Sequence, residues 1–155
     1  GLNKTGGKCF FLGSSDKVLK LIVQRISKEY PKIRVSSYSP PYKPVFTDEE
    51  NDQMINTVNS FSPDVLFVGM TAPKQEKWAA AHFEKLNARH ICSIGAVFDF
   101  YALTVRRAPA WMIRHGLEWL YRLIVEPRRM WRRYIVGNPK FIWFIIKEKF
   151  KSSTN

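Results

Sequence analysis

Four short apolar runs, at residues 8–12, 33–38, 64–70 and 90–94, restrict this chain more than any other feature. Each is strand-sized, and each is separated from the next by a turn and a stretch long enough for a helix. Residues 17–30 place Val18, Leu19, Leu21, Ile22 and Ile26 close to a helical stripe, and Pro31 lies just beyond. Residues 48–61 do the same with Met54, Ile55, Val58 and Phe61, after a Thr47/Glu50 pair at capping-box spacing. Between 39 and 44 three prolines exclude a helix, because proline removes a donor and restricts the residue before it. Pro73 suits the first turn of a third helix carrying Trp78, Phe83 and Leu86. Strands alternating with helices specify an α/β fold, a Rossmann-like, mainly parallel sheet.

A doubly wound sheet binds ligands beyond the carboxyl ends of its strands. The loops to inspect are then 13–15, 39–46, 69–75 and 95–107. The richest follows the third strand, in Val68-Gly-Met-Thr-Ala-Pro-Lys-Gln-Glu-Lys-Trp78. A strand ending at Gly69 and a helix opened by Pro73 point N–H groups at the crevice, a seat for phosphate. Lys74 adds charge there, and Gln75 and Glu76 can hydrogen-bond a sugar or a base. An ordinary helix start with solvated polar residues accounts for the same pattern. The second candidate is Asp99, flanked by Phe98 and Phe100 and followed by Arg106 and Arg107. It is a base, a hydroxyl-binding group or the structural partner of an arginine.

Charge divides the chain in two. Residues 1–100 hold 13 basic and 10 acidic residues, while residues 101–155 hold 12 and 3. Four of the five tryptophans, Trp111, Trp119, Trp131 and Trp143, lie in that basic part. We therefore read residues 1–104 as the α/β body and 105–155 as a basic, aromatic helical appendage. In 127–136, Arg128, Arg129, Arg132 and Arg133 share an arc of about 140° and apolar residues fill the rest. The run 141–146 is apolar all round and is followed by Lys147, Lys149 and Lys151. This suits a segment lying in a membrane interface on anionic lipid. Helices docked on the body or on a partner subunit remain an alternative, as does nucleic acid, against which the apolar run argues. Arg106, Arg107, Arg114, Arg122, Arg128 and Arg132 can also chelate a diphosphate through paired guanidinium hydrogen bonds.

Other classes fall away. No apolar run approaches the roughly 18–20 residues of a spanning helix. Cys9 and Cys92 make neither a disulfide framework nor a zinc site, and the three histidines lack metal-ligand spacing. Neither a Walker-type phosphate loop nor a dinucleotide fingerprint occurs. The start, Gly1-Leu-Asn-Lys-Thr-Gly-Gly, without Met or an apolar leader, resembles a cut inside a longer chain.

The motif from Val68 to Trp78, then Gly95-Ala-Val-Phe-Asp-Phe100, Arg107-Ala-Pro-Ala-Trp111, Gly116-Leu-Glu-Trp-Leu-Tyr-Arg-Leu123, Glu126-Pro-Arg128 and Arg132-Arg-Tyr134 closely resemble the WecG/TagA/CpsF glycosyltransferases. The resemblance covers about residues 8–141. It implies an inverting enzyme that transfers N-acetylmannosamine or its uronic acid from a UDP-sugar to a polyprenyl-diphosphate-linked sugar, for teichoic acid or other surface polysaccharide. It implies no metal or other cofactor, a cytoplasmic protein peripheral on the inner face of the bacterial membrane, association of copies, and no nucleic-acid partner. By position it gives Gln75 and Asp99 places beside the reacting sugar. Gly69, Pro73, Lys74 and Glu76 join the substrate site, and Arg107, Arg122, Arg128 and Arg132 face the diphosphates. It further implies an N-terminal half with a catalytic Thr and Asp, after which this chain begins. A catalytically incomplete binding or membrane-docking module is the alternative. Thr71, Leu103 and the Ser14-Ser15 turn stand where the family pattern has glycine, which reduces backbone freedom there.

Overall fold

The computed structural model describes residues 1–105 and 108–131, together with Pro139 and Trp143. The chain divides into two compact units, Gly1–Arg106 and Arg107–Asn155.

In the first unit, β1 (Lys8–Gly13), β2 (Arg34–Tyr38), β3 (Val65–Gly69) and β4 (His90–Ser93) make one sheet in the order β2-β1-β3-β4. All three pairings are parallel, as the alternating pattern predicts. The chain moves outward from β1 to β2, then returns to the other side of β1 for β3. That reversal opens a crevice between the carboxyl ends of β1 and β3, where Gly13 and Gly69 lie side by side.

Successive strand residues point to opposite faces. Phe10, Leu12, Leu66 and Val68 pack with Met54, Ile55 and Val58 of α3 (Asp48–Phe61) and Trp78 of α4 (Lys74–His82). Cys9 and Phe11 face the other way, onto Val18, Leu19, Ile22 and Ile26 of α2 (Asp16–Glu29) and Phe98 of α5 (Val97–Tyr101). Cys9 is thus a small apolar core residue whose thiol burial pushes up from its ordinary pKa.

Local chemistry sets the helix starts. The Ser15 hydroxyl accepts from the Val18 N–H, and Thr47 and Glu50 form the full reciprocal capping box that their spacing predicts. A short α1 (Leu2–Thr5) precedes the sheet, in a stretch with no helical signal. Three expectations change. Leu21 is exposed, because it lies off the buried stripe formed by its neighbours. Phe83 is 63% exposed, because α4 ends at His82 and a 3-10 turn, Phe83–Lys85, rotates that side chain outward. Residues 95–107, inspected as a loop, contain α5, whose five residues are held by the burial of Phe98.

The second unit contains α6 (Ala110–Arg114), α7 (Glu118–Val125) and α8 (Pro127–Trp131), with α7 packed on both neighbours. Ala108, Met112 and Met130 are buried, whereas Trp111, Trp119, Ile124, Val125 and Trp131 are exposed. Among the described residues no helix is long and apolar enough to cross a membrane. Of the arginine helix read at 127–136, the described part is α8, and the apolar run 141–146 and the lysines after it lie outside the described residues.

Candidate functional site

The crevice at the carboxyl edge of the sheet is built by three turns. After β1 the chain passes through Ser14, whose carbonyl accepts from the Ser39 hydroxyl at 2.8 Å and so ties the β1 turn to the proline-rich segment. After β3 comes Gly69, and after β4 comes Gly95. Gly69 is the one residue type that fits its place: a Cβ there would lie 2.5 Å from the Phe98 ring. Phe98 therefore closes over the end of β3 from the α5 side, a contact that the sequence motifs suggest only as a nearby aromatic.

Gln75 is the central polar group. It is 5% exposed, on the first turn of α4. Its amide lies against the turn after β4, since a Cβ on Gly95 would stand 3.0 Å from Gln75 Oε1 and 3.3 Å from Nε2. Nε2 donates to Glu76 Oε1 at 2.7 Å, which fixes the direction of the amide. Among the described residues, Gln75 Oε1 is a buried acceptor with no hydrogen-bond donor. Buried polar atoms are normally paired, so this open acceptor at a strand-end crevice retains unused hydrogen-bonding capacity.

The surrounding candidates divide. Pro73 sits just before α4 rather than inside its first turn, following a cis Ala72–Pro73 peptide bond. The N–H groups of Lys74 and Gln75 donate to the Thr71 carbonyl, which leaves fewer donors at this helix start than an open N-terminus offers. Lys74 turns away to the proline-rich segment. Its ammonium donates to the Lys43 carbonyl and stands 3.5 Å from the Phe46 ring centroid. Burial lowers its pKa from the usual lysine value, opposed by the attraction of Glu50. Lys43 in turn pairs with Glu50 at 2.6 Å, so the capping box of α3 and Lys74 together pin residues 43–46.

Asp99 lies half-buried on α5. Its Oδ1 accepts from the Thr104 hydroxyl at 3.4 Å, and its backbone carbonyl accepts from the Thr104 N–H at 3.0 Å. Among the described residues no hydrogen bond joins Asp99 to Gln75. The turn that Asp99 anchors contains Leu103 at φ 58°, a left-handed conformation, and Ser14 has φ 60°. Two of the three positions read as replacing glycine thus adopt the backbone that glycine favours.

In the second unit, Arg122 on α7 pairs with Glu118 one turn earlier at 3.3 Å, and Arg128 is exposed on α8. Arg106, Arg107 and Arg132 lie outside the described residues.

The glycosyl transferase WecG/TagA/CpsF family model matches residues 2–155. The chain belongs to this family. Among relatives of this WecG/TagA/CpsF chain is an N-acetylglucosaminyldiphosphoundecaprenol N-acetyl-beta-D-mannosaminyltransferase of Bacillus subtilis (strain 168), 34% identical over 98% of this chain and 57% of its own length. Proteins of the same name from Bacillus spizizenii (strain ATCC 23059 / NRRL B-14472 / W23) and Staphylococcus aureus (strain NCTC 8325 / PS 47) are each 28% identical. They are covered over 94% and 93% of this chain, and each over 54% of its own length. The chain spans about half the length of the curated relatives it matches. The motif resemblance read from residues 68–134 is thereby established as family membership.

Proposed function

We propose that this chain carries the donor crevice and the diphosphate-facing arginines of an inverting glycosyltransferase. The sugar moved is N-acetylmannosamine or a close relative, the donor a UDP-sugar, and the acceptor N-acetylglucosaminyl diphosphate on a polyprenyl lipid. The observation that carries the reading is the unpaired, buried Oε1 of Gln75 at the strand-end crevice of a WecG/TagA/CpsF chain. An oriented amide oxygen takes a neutral donor, such as a sugar hydroxyl, an acetamido N–H or a uracil N–H.

In this reaction an acceptor hydroxyl attacks the anomeric carbon from the face opposite the leaving UDP. The new C–O bond forms as the bond to the β-phosphate oxygen breaks, the hydroxyl proton passes to a base, and configuration inverts. Gln75 and Asp99 border the sugar, with Gly69, Pro73 and Glu76 shaping the floor. Arg107, Arg122, Arg128 and Arg132 spread the charge developing on diphosphate, a role guanidinium forks perform well. Lys74 acts one step removed, by holding the 43–46 segment at the crevice rim.

The exposed Trp111, Trp119, Ile124, Val125 and Trp131 favour contact between the second unit and the bilayer that carries the acceptor. The protein then works as a peripheral membrane protein on the cytoplasmic face. Two experiments test the proposal. Calorimetry measures UDP binding by this chain and by Gln75→Ala, and UDP release with a lipid-linked acceptor is followed in a chain extended to the relatives' full length. Loss of UDP affinity in Gln75→Ala and loss of turnover in Arg128→Ala are expected. Undiminished binding and turnover in both would reject these roles. Flotation with anionic vesicles tests the membrane role, and binding unchanged after removal of residues 127–155 would refute it.

A further inference from the structure

Arg25 and Glu29 stand one turn apart on α2, and their contacts converge on Tyr101, the last residue of α5. Arg25 Nε pairs with Glu29 Oε1 at 2.6 Å. Arg25 Nη1 donates to the Tyr101 backbone carbonyl at 2.8 Å, and the guanidinium carbon lies 4.5 Å from the centroid of the Tyr101 ring. The Tyr101 hydroxyl donates to Glu29 Oε2 at 3.0 Å. One residue is thus gripped at its carbonyl, its ring face and its hydroxyl by two side chains of another helix.

The grip matters because of what α5 is. A five-residue helix has almost no stability of its own, and this one has no side-chain cap at its start. Its position depends on outside contacts. Just before it, the Gly95 backbone rests against the Gln75 amide, and within it Phe98 covers Gly69. A rotation of α5 would therefore move the wall against which Gln75 is held. Phe98, and Ala102 just past the helix end, hold it by non-directional apolar packing, whereas Tyr101 adds directional hydrogen bonds that set its orientation.

We propose that Arg25 and Glu29 are positioning residues for the donor crevice, acting through Tyr101 to set the orientation of α5 and, with it, the wall behind Gln75. The inference rests on the reading of that crevice as a nucleotide-sugar site. The clamp is peripheral, with the Arg25 and Glu29 side chains 35% and 37% exposed, so its loss costs little global stability while still freeing α5. Positioning and folding are therefore separable by experiment.

UDP is the probe, its affinity measured by calorimetry on the whole chain, with thermal melting alongside. Tyr101→Phe removes only the hydroxyl, and Glu29→Ala removes both the ion pair and the acceptor. We expect UDP to bind roughly three- to tenfold more weakly to Glu29→Ala, with a melting temperature close to that of the parent. Glu29→Gln keeps an acceptor for the tyrosine and should recover much of the affinity. Ile55→Val, which thins the core on the opposite face of the sheet from α5, serves as the stability control and should leave UDP affinity within about twofold. Parent-like affinity in both Tyr101→Phe and Glu29→Ala overturns the proposal, as does an equal loss in Ile55→Val, which would reduce the effect to general destabilisation. Absence of UDP binding by the parent chain overturns the donor-site reading and this inference together; parent binding with unaffected clamp variants overturns this inference alone.

Discussion

Gln75 and Gly95 meet across the carboxyl edge of the sheet so closely that a single added methyl group at Gly95 would stand 3.0 Å from the Gln75 amide oxygen. Gly95 also has φ 40°, where any L side chain is strained. Gly95→Ala is therefore expected to cost about 1–2 kcal/mol of stability through backbone strain, and to displace the Gln75 amide, whose oxygen is buried and unpaired. Denaturant unfolding gives the first quantity and UDP calorimetry the second. A variant with parent-like stability and parent-like UDP affinity would contradict both the geometry and the role assigned to the pair.

Leu103 presents the opposite case. It holds φ 58° with its side chain 73% exposed, so it carries the left-handed strain and buries little in return. Leu103→Gly should relieve that strain at the expense of greater freedom in the unfolded chain. The expected net gain is about 1 kcal/mol, or a rise of roughly 2–4 °C in melting temperature. A drop in melting temperature would mean that the Leu103 side chain packs more than its exposure indicates.

Tyr101 should release its proton late. Burial, and then the hydrogen bond to Glu29, push its pKa up to about 12 from 10.0. The folded state keeps its proton at a pH where the unfolded chain has released it. The stabilisation is therefore complete below about pH 10 and is lost as pH rises from there through 12. Ultraviolet titration of the parent should show a phenol with its midpoint near 12 that is lost in Tyr101→Phe. Glu29→Ala should bring its midpoint down, and an unshifted midpoint would remove the hydrogen bond from the account.

Thr47→Val isolates the capping box. The hydroxyl accepts from the Glu50 N–H at 3.3 Å, and the Glu50 carboxylate accepts from the Thr47 N–H at 2.8 Å while also holding Lys43. Removing the hydroxyl should cost about 1 kcal/mol in denaturant unfolding. Because Glu50 anchors the segment on which Lys74 rests, faster proteolysis within 39–46 is expected alongside. Unchanged stability and cleavage would show that the cap contributes nothing.

Much of the fold was legible in the residues because it depends on local pattern. The runs at 8–12, 33–38, 64–70 and 90–94 became strands within a residue or two, and α3 occupies 48–61 as its cap and stripe predict. Lys74 shows where that kind of reading stops. Its position beside Pro73 suggested a phosphate ligand, yet its stem carries the ammonium to the Lys43 carbonyl, 31 residues away in sequence. No spacing rule encodes that distance. Arg25 and Glu29 are one turn apart on α2, but the residue they grip lies on another helix.

By itself, the sequence determined the alternation of strands and helices, the concentration of arginine and tryptophan after residue 101, and membership of the WecG/TagA/CpsF family, since periodicity, charge and ordered motifs are written along the chain. Only the tertiary structure decided that Gln75 is buried against Gly95 with an unpaired oxygen, that Phe98 seals Gly69, and that Tyr101 is clamped from α2. These are contacts between turns brought together by the parallel sheet, and a hydrogen bond or a close approach depends on distances of tenths of an ångström between residues that sequence order leaves far apart.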